Sequence, residues 1–212
     1  MNETAASAHY RTLRERIIAG DITSETRLYE SALTGDLGTS RTPIREALSL
    51  LEKDGILVRE RRGYRVRERT LQEVLDYFDV RGALEAAAAE AAALRATELE
   101  RAQMSAMLQR ADAEPDEATR ARIHDGWHQA LHRASHNDAL IEFIARAETL
   151  IALHRRPWVS SIAGTAESQA EHQGILDAVL ARDPALARSR MAAHMSRARD
   201  YQLQGLTAAE HP

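Results

Sequence analysis

Cysteine is absent from the 212 residues, which excludes a disulfide scaffold, a thiolate metal site and a cysteine nucleophile. Any metal must then be held by histidine and carboxylate, and a thiol-free chain fits a reducing compartment. Aromatic residues are only 4%, too few for strand-rich folds, which favour aromatic and β-branched side chains. No run of about 18 apolar residues is available to span a bilayer. Glu3, Arg11, Arg14, Glu15 and Arg16 stand where the apolar core of a secretory signal would lie, so a cytoplasmic location without membrane association is expected. A basic net charge is missing too: the value of −4 argues against a uniformly basic nucleic-acid binder. What is plentiful is alanine, 39 residues, which favours closely packed helices. The length suits one large domain or two small ones, and the fold expected is mainly α.

The average charge hides a segregation. Residues 1–70 hold 13 basic and 11 acidic groups (+2), whereas residues 71–212 hold 15 and 21 (−6). The contrast is sharpest at 59–69, RERRGYRVRER, where six Arg face two Glu. One end of the chain is suited to an anionic partner and the other is not.

The first seventy residues read as helix, helix, helix, hairpin. Tyr10, Leu13 and Ile17 recur at helical spacing before Gly20, and a second short helix fits Leu28 to Leu37, closed by Gly38. A third starts near Ser40 or Thr42, with Pro43 in its first turn, and runs to Gly55. ILVRE and YRVRE are β-prone runs joined by RRG, in which Gly63 can take the positive φ of a tight turn. This order is that of a winged helix-turn-helix over residues 1–70. From Leu71 to 212 the period is helical throughout, beginning with a stripe of Leu71, Val74, Leu75 and Phe78. Turn signals at Glu114-Pro115, His136 to Asp138, Arg156 to Gly164 and Asp183-Pro184 suggest an all-α bundle of about six helices. The linker at 66–71 is short and charged.

In the third helix Arg41 and Arg45 lie one turn apart, away from Ile44, Leu48 and Leu51. Arg can contact guanine O6 and N7 bidentately, and a helix start with Ser40 and Thr42 suits phosphate. Arg61, Arg62 and Arg65 sit at the hairpin tip. The alternative is a solvated basic face paired with Glu46, Glu52 and Glu60. Further on, four of the nine histidines are spaced by four, at 124, 128, 132 and 136, and imidazoles four apart on a helix can share one metal. His128 shares a stripe with His124 and Leu131, His172 with Leu176 and Val179, and His194 with Met191 and Ala198. Three segments thus each present an inward histidine, which can converge in a bundle core or stand as separate hydrogen-bonded residues. His132 and His136 drift by about 40° per step from that stripe and read as surface or cap residues.

LRERIIAGDI, LTGDLGTSRTPIREALSLLEKDGILV and RRGYRV together resemble the DNA-binding domain of the GntR family of bacterial transcriptional regulators, with SRTPIREAL its most specific motif. The resemblance implies that Ser40, Arg41, Thr42 and Arg45 serve the recognition helix and that Arg62 with Gly63 forms the wing tip, on double-stranded operator DNA. Glu25-Thr26 departs from the family's frequent Pro-Gly. GWHQALHRASHNDAL and SQAEHQGILDAVLARDPALARSRMAAHM resemble the all-helical FCD effector domain of the FadR branch. In metal-binding members three histidines and an acidic residue hold a divalent cation of the Zn, Ni or Mn class, and His128, His172 and His194 fall on the histidine positions. The acidic position is occupied by His124, with Asp125 adjacent, so four-His and three-His-one-Asp sets are both open. The resemblance further implies a small carboxylate effector, with Arg81 of DVRGALE near the pocket unless it forms an i,i+4 pair with Glu85. Trp127, Trp158 and His154 are candidate lining residues.

The expectation is a homodimeric, ligand-responsive repressor rather than an enzyme. The competing expectation is a His-liganded metalloenzyme with Asp125, Glu142 or Glu171 as general base and an accessory N-terminal domain.

Overall fold

The structure, a computed structural model, describes residues 4–153 and 165–209. The expected break at 156–164 lies outside them, as do His154 and Trp158. Contacts divide the chain into two compact units, Met1–Val74 with Thr149–His154, and Leu75–Glu148 with Arg155–Pro212.

The first unit begins with α1 (Ala5–Ile18), capped by the Thr4 side chain, which accepts from the Ser7 amide. Helices α2 (Glu30–Asp36) and α3 (Arg41–Lys53) follow, then the antiparallel strands β1 (Leu57–Arg59) and β2 (Tyr64–Val66) in the register Leu57 to Val66 and Arg59 to Tyr64. α3 buries Ile44, Ala47, Leu48 and Leu51, one stripe at 3.6-residue spacing, against α1, α2 and β1. The second helix starts two residues later than Leu28. Both backbone groups of Leu28 bond to those of Tyr64, at 2.9 Å each, so this residue extends the hairpin as a bridge instead of opening a turn of helix.

Six further helices follow among the described residues: α4 (Leu71–Arg95), α5 (Glu98–Ala113), α6 (Glu117–Ala134), α7 (Asp138–Ala152), α8 (Ala166–Leu180) and α9 (Pro184–Ala209). The break between α4 and α5 has no Gly or Pro. A capping box makes it: the Thr97 hydroxyl accepts from the Glu100 amide while Glu100 reaches back to the Thr97 amide. Ala88, Ala89, Ala92 and Ala93 of α4 form one core cluster with Met104, Leu108, Trp127, Ile175 and Met191. Side chains of one methyl let neighbouring helices approach closely, which is why so alanine-rich a helix is a core element. No helix among the described residues is long and apolar enough to cross a membrane.

Candidate functional site

Candidate side chains gather at one exposed face and at one buried centre. In the first unit, Ser40 lies at extended φ −79°, ψ 168° before α3, and its side chain accepts no capping bond among the described residues. The first-turn amides are thus left for an anion. Arg41, Thr42 and Arg45 are exposed on the side opposite the buried stripe. Arg45 is held by Glu30, with Nη2 2.9 Å from Oε2 and Nε 3.1 Å from Oε1. That bond from Arg45 keeps the Glu30 carboxyl below its ordinary range. Glu52 takes Arg59 at 3.4 Å and Glu60 takes Arg65 at 3.1 Å, so the basic face is partly compensated. Arg41, Arg61 and Arg62 have no ion pair among the described residues. A recess of about 370 Å³ where the start of α2 and Arg41 of α3 meet the hairpin has Arg41, Arg59 and Arg61 in its lining, together with Glu30 and Glu60. At the wing Gly63 has φ 82°, and a Cβ there would run into the Leu28 carbonyl oxygen. Only glycine therefore seats the tip on the Leu28–Tyr64 bridge.

The second site is built by α4, α6, α8 and α9. His128, His172 and His194 are all buried, and their Nε2 atoms converge: His128 to His172 at 3.0 Å and His172 to His194 at 3.2 Å. The outer two are oriented from behind. His128 Nδ1 lies 3.3 Å from Glu85 Oε2 and His194 Nδ1 lies 2.7 Å from Glu171 Oε2. Each carboxylate is gripped in turn by an arginine, Glu85 Oε1 by Arg81 Nη2 at 3.0 Å and Glu171 Oε1 by Arg197 Nε at 2.6 Å. Two Arg–Glu–His relays thus end on His172.

A carboxylate only accepts, so the Nδ1 atoms of His128 and His194 carry the protons and their Nε2 atoms present lone pairs. His172 Nε2 can donate one hydrogen at most, yet it faces two lone pairs. Its own Nδ1 is buried without a partner among the described residues. A divalent cation would resolve the conflict at the three Nε2 atoms by accepting all three lone pairs. A tetrahedral ion with bonds of about 2.0–2.1 Å spaces its ligand atoms about 3.3 Å apart, close to the separations observed. Burial pushes His128 down to about 4, and burial with the adjacent imidazoles pushes His172 down further. Both are neutral near pH 7, the form that ligates. Burial opposes ionisation of Glu85, but the charges and hydrogen bonds of its partners outweigh it and hold the carboxyl well below its ordinary range. Glu171 is likewise disfavoured by burial and is held at about 2 by His194 and Arg197.

The remaining candidates distribute around this point. His124 is fully buried, its ring centroid 4.5 Å from that of His172, with Nε2 2.6 Å from Gln169 Oε1. Asp125 is exposed. Neither joins the convergent donors among the described residues, which form two overlapping groups, His128 with His172 and His194, and Glu85 with His128 and His132. Arg81 does make the i,i+4 pair with Glu85 and adds a second contact, 2.9 Å to Glu148. His132 is not a surface residue: it is buried, with Nε2 2.7 Å from Glu85 Oε2. The angular drift along α6 is real, but the buried Glu85 carboxylate needs donors and widens the polar sector facing α4. His136 sits past the helix end at φ 46°, bonded to Glu100 at 3.0 Å.

Residues 6–66 match the family described as bacterial regulatory proteins, gntR family, and residues 76–197 match the FCD domain. Over 206 residues the chain is 33% identical to the HTH-type transcriptional repressor GlaR of Escherichia coli, covering 88% of this chain and 90% of GlaR. The chain belongs to the GntR family and has an FCD domain. Identity to the gluconate operon transcriptional repressor of Bacillus licheniformis is 44% over 73 residues, 34% of this chain and 30% of that one. The solved structure of E. coli McbR/YncC shares the fold at TM-score 0.70 and 20% identity, over 96% of this chain and 99% of that one. GntR-family proteins are DNA-binding regulators that act on operators, and the metalloenzyme alternative is not favoured. Glu171, one of its candidate bases, is occupied by His194 and Arg197.

Against this GntR–FCD frame, the residues that sequence reasoning missed are the ones behind the histidines. Glu85 figured only as a partner of Arg81, and Glu148, Gln169 and Arg197 not at all. Glu85 did leave a signal: in EAAAAEAAAL it is an acid on the same helical face as Ala88, Ala89 and Ala92, all fully buried. A lone carboxylate among inward alanines must find buried donors.

Proposed function

We propose that this GntR-family chain is a cytoplasmic, homodimeric repressor of the FadR subfamily, in which residues 1–70 read operator DNA and residues 71–212 sense a small carboxylate. The cation site is formed by His128, His172 and His194, with His124 next to it. The observation behind this reading is the three-imidazole convergence, in which two oriented lone pairs face a third ring nitrogen. A cation held there supplies Lewis acidity and open positions for ligand oxygens. Glu85 and Glu171 fix the tautomers of His128 and His194, as partners of ligating histidines do. His124 can join only if Gln169 releases it. On the DNA side, Ser40, Arg41, Thr42 and Arg45 present the start of α3, and Arg62 with Gly63 presents the wing. Effector binding biases operator affinity through a coupling free energy, typically about 1–3 kcal/mol. The name of the gluconate operon repressor is consistent with a sugar-acid effector class.

Equilibrium dialysis against zinc and nickel with metal analysis tests the centre. Wild type should retain about one ion per chain and His172→Ala should lose it; no ion on either protein would remove the metal from the reading while leaving DNA binding in place.

A further inference from the structure

Arg81 holds two carboxylates, and they are unlike. Glu85 is fully buried, meets Arg81 through Nε and Nη2 at 3.1 and 3.0 Å, and is also bound by His128 and His132. It cannot leave without stranding three partners. Glu148, on α7, touches the same guanidinium through a single Nη2 contact of 2.9 Å, and its side chain keeps 37% of its surface open to solvent. Burial disfavours its charged form even beside Arg81. A guanidinium prefers two parallel N–H···O bonds to a carboxylate, and Glu148 supplies one contact.

We propose that Glu148 is an internal stand-in for the carboxylate of the effector: it occupies the exchangeable face of Arg81, and a small carboxylate ligand binds by displacing it. This deepens the carboxylate-sensing reading above and rests on it. Competition from Glu148 sets the threshold concentration, because a free carboxylate must outbid a tethered one. It also favours ligands that engage Arg81 bidentately, and among them those with a further oxygen for the neighbouring cation site. Glu85 stays in place throughout, so His128 keeps its orientation while the ligand exchanges with Glu148.

The test is chemical rescue with acetate as the carboxylate probe, on full-length protein stripped of metal by chelator. Glu148→Ala leaves a carboxylate-sized vacancy against Arg81. Thermal midpoints are measured in about 100 mM sodium acetate and in sodium chloride of equal ionic strength. Acetate should raise Tm of Glu148→Ala by roughly 3 °C over chloride, raise wild type less, and have no specific effect on Glu148→Ala combined with Arg81→Met. Should Glu148→Ala fail to fold, Glu148→Gln removes the charge while its amide still fills the space, and an acetate-specific shift smaller than that of the alanine variant but larger than that of wild type is expected. Equal midpoints in acetate and chloride for the single variant, or an equal acetate effect on the double variant, would overturn the proposal. Since the protein is metal-free, failure of the metal reading leaves this result unchanged, and failure here leaves the dialysis result unchanged.

Discussion

Gly63 is where backbone geometry and the proposed DNA contact meet in the wing. At φ 82°, with the Leu28 carbonyl where a Cβ would stand, Gly63→Ala must both strain the backbone and push the tip off its bridge. It should cost about 1–3 kcal/mol of stability, read by urea denaturation, and weaken operator binding beyond that loss. In the recognition helix, Arg41→Ala or Arg45→Ala should cost roughly 1–3 kcal/mol of specific binding and relax base preference. Unchanged operator affinity in a gel-shift experiment would remove those two side chains from the reading surface. Glu30→Gln tests the restraint on Arg45. With the side-chain pair of 2.9 Å weakened, non-specific DNA affinity should rise and its salt dependence steepen, since an exposed pair of this kind is itself worth only about 0–1 kcal/mol. At this scale the inward positions of His128, His172 and His194 could be read from their apolar neighbours. His132 could not, because its burial is dictated by Glu85, 47 residues away in sequence, and helical periodicity knows nothing of such a partner.

Among the elements, those punctuated by Gly or Pro were legible. α3 starts straight after Ser40, although that side chain makes no capping bond among the described residues, and runs through a first-turn Pro to a stop before Gly55, and α9 opens on Pro184. Two boundaries depended on subtler chemistry. The start of α2 moves from Leu28 to Glu30 because a bridge to Tyr64 competes for the same backbone groups, which is a tertiary effect. The stop between α4 and α5 rests on Thr97 and Glu100 alone. This second boundary was available in principle, since Thr-Glu-Leu-Glu is a capping-box pattern. Its importance can be measured: Thr97→Ala should destabilise the helical unit by about 1 kcal/mol, seen as a shift of the denaturation midpoint with unchanged slope. No shift would mean that packing alone ends α4.

On the scale of the whole molecule, the charge split at residue 70 separates a region with uncompensated arginines from one of net charge −6 whose centre holds buried neutral imidazoles. That centre makes stability depend on pH. His128 is pushed down to about 4 from 6.5, and His172 is lowered further. Between about pH 6.5 and 4 the unfolded chain therefore binds more protons than the folded one, and stability must fall as pH falls through that window. For His128 alone the loss is on the order of 3 kcal/mol across the window. Urea denaturation of chelator-treated protein at pH 7.5 and 4.5 should show it. His172→Ala should flatten the dependence, and an identical profile for both proteins would contradict the assignment of buried neutral imidazoles. Metal should add protection at neutral pH that disappears over the same range, because the ligating forms are the deprotonated ones.

Two Arg–Glu–His relays and His172 are proposed to hold a cation. Anomalous diffraction at the zinc edge, from crystals grown with zinc, tests this directly. A single strong peak is expected about 2.0–2.1 Å from the Nε2 atoms of His128, His172 and His194, with Glu85 and Glu171 still on the Nδ1 sides of His128 and His194. This placement is contradicted by zinc-loaded crystals with no peak at that point, or with the peak on Glu85, His128 and His132 instead.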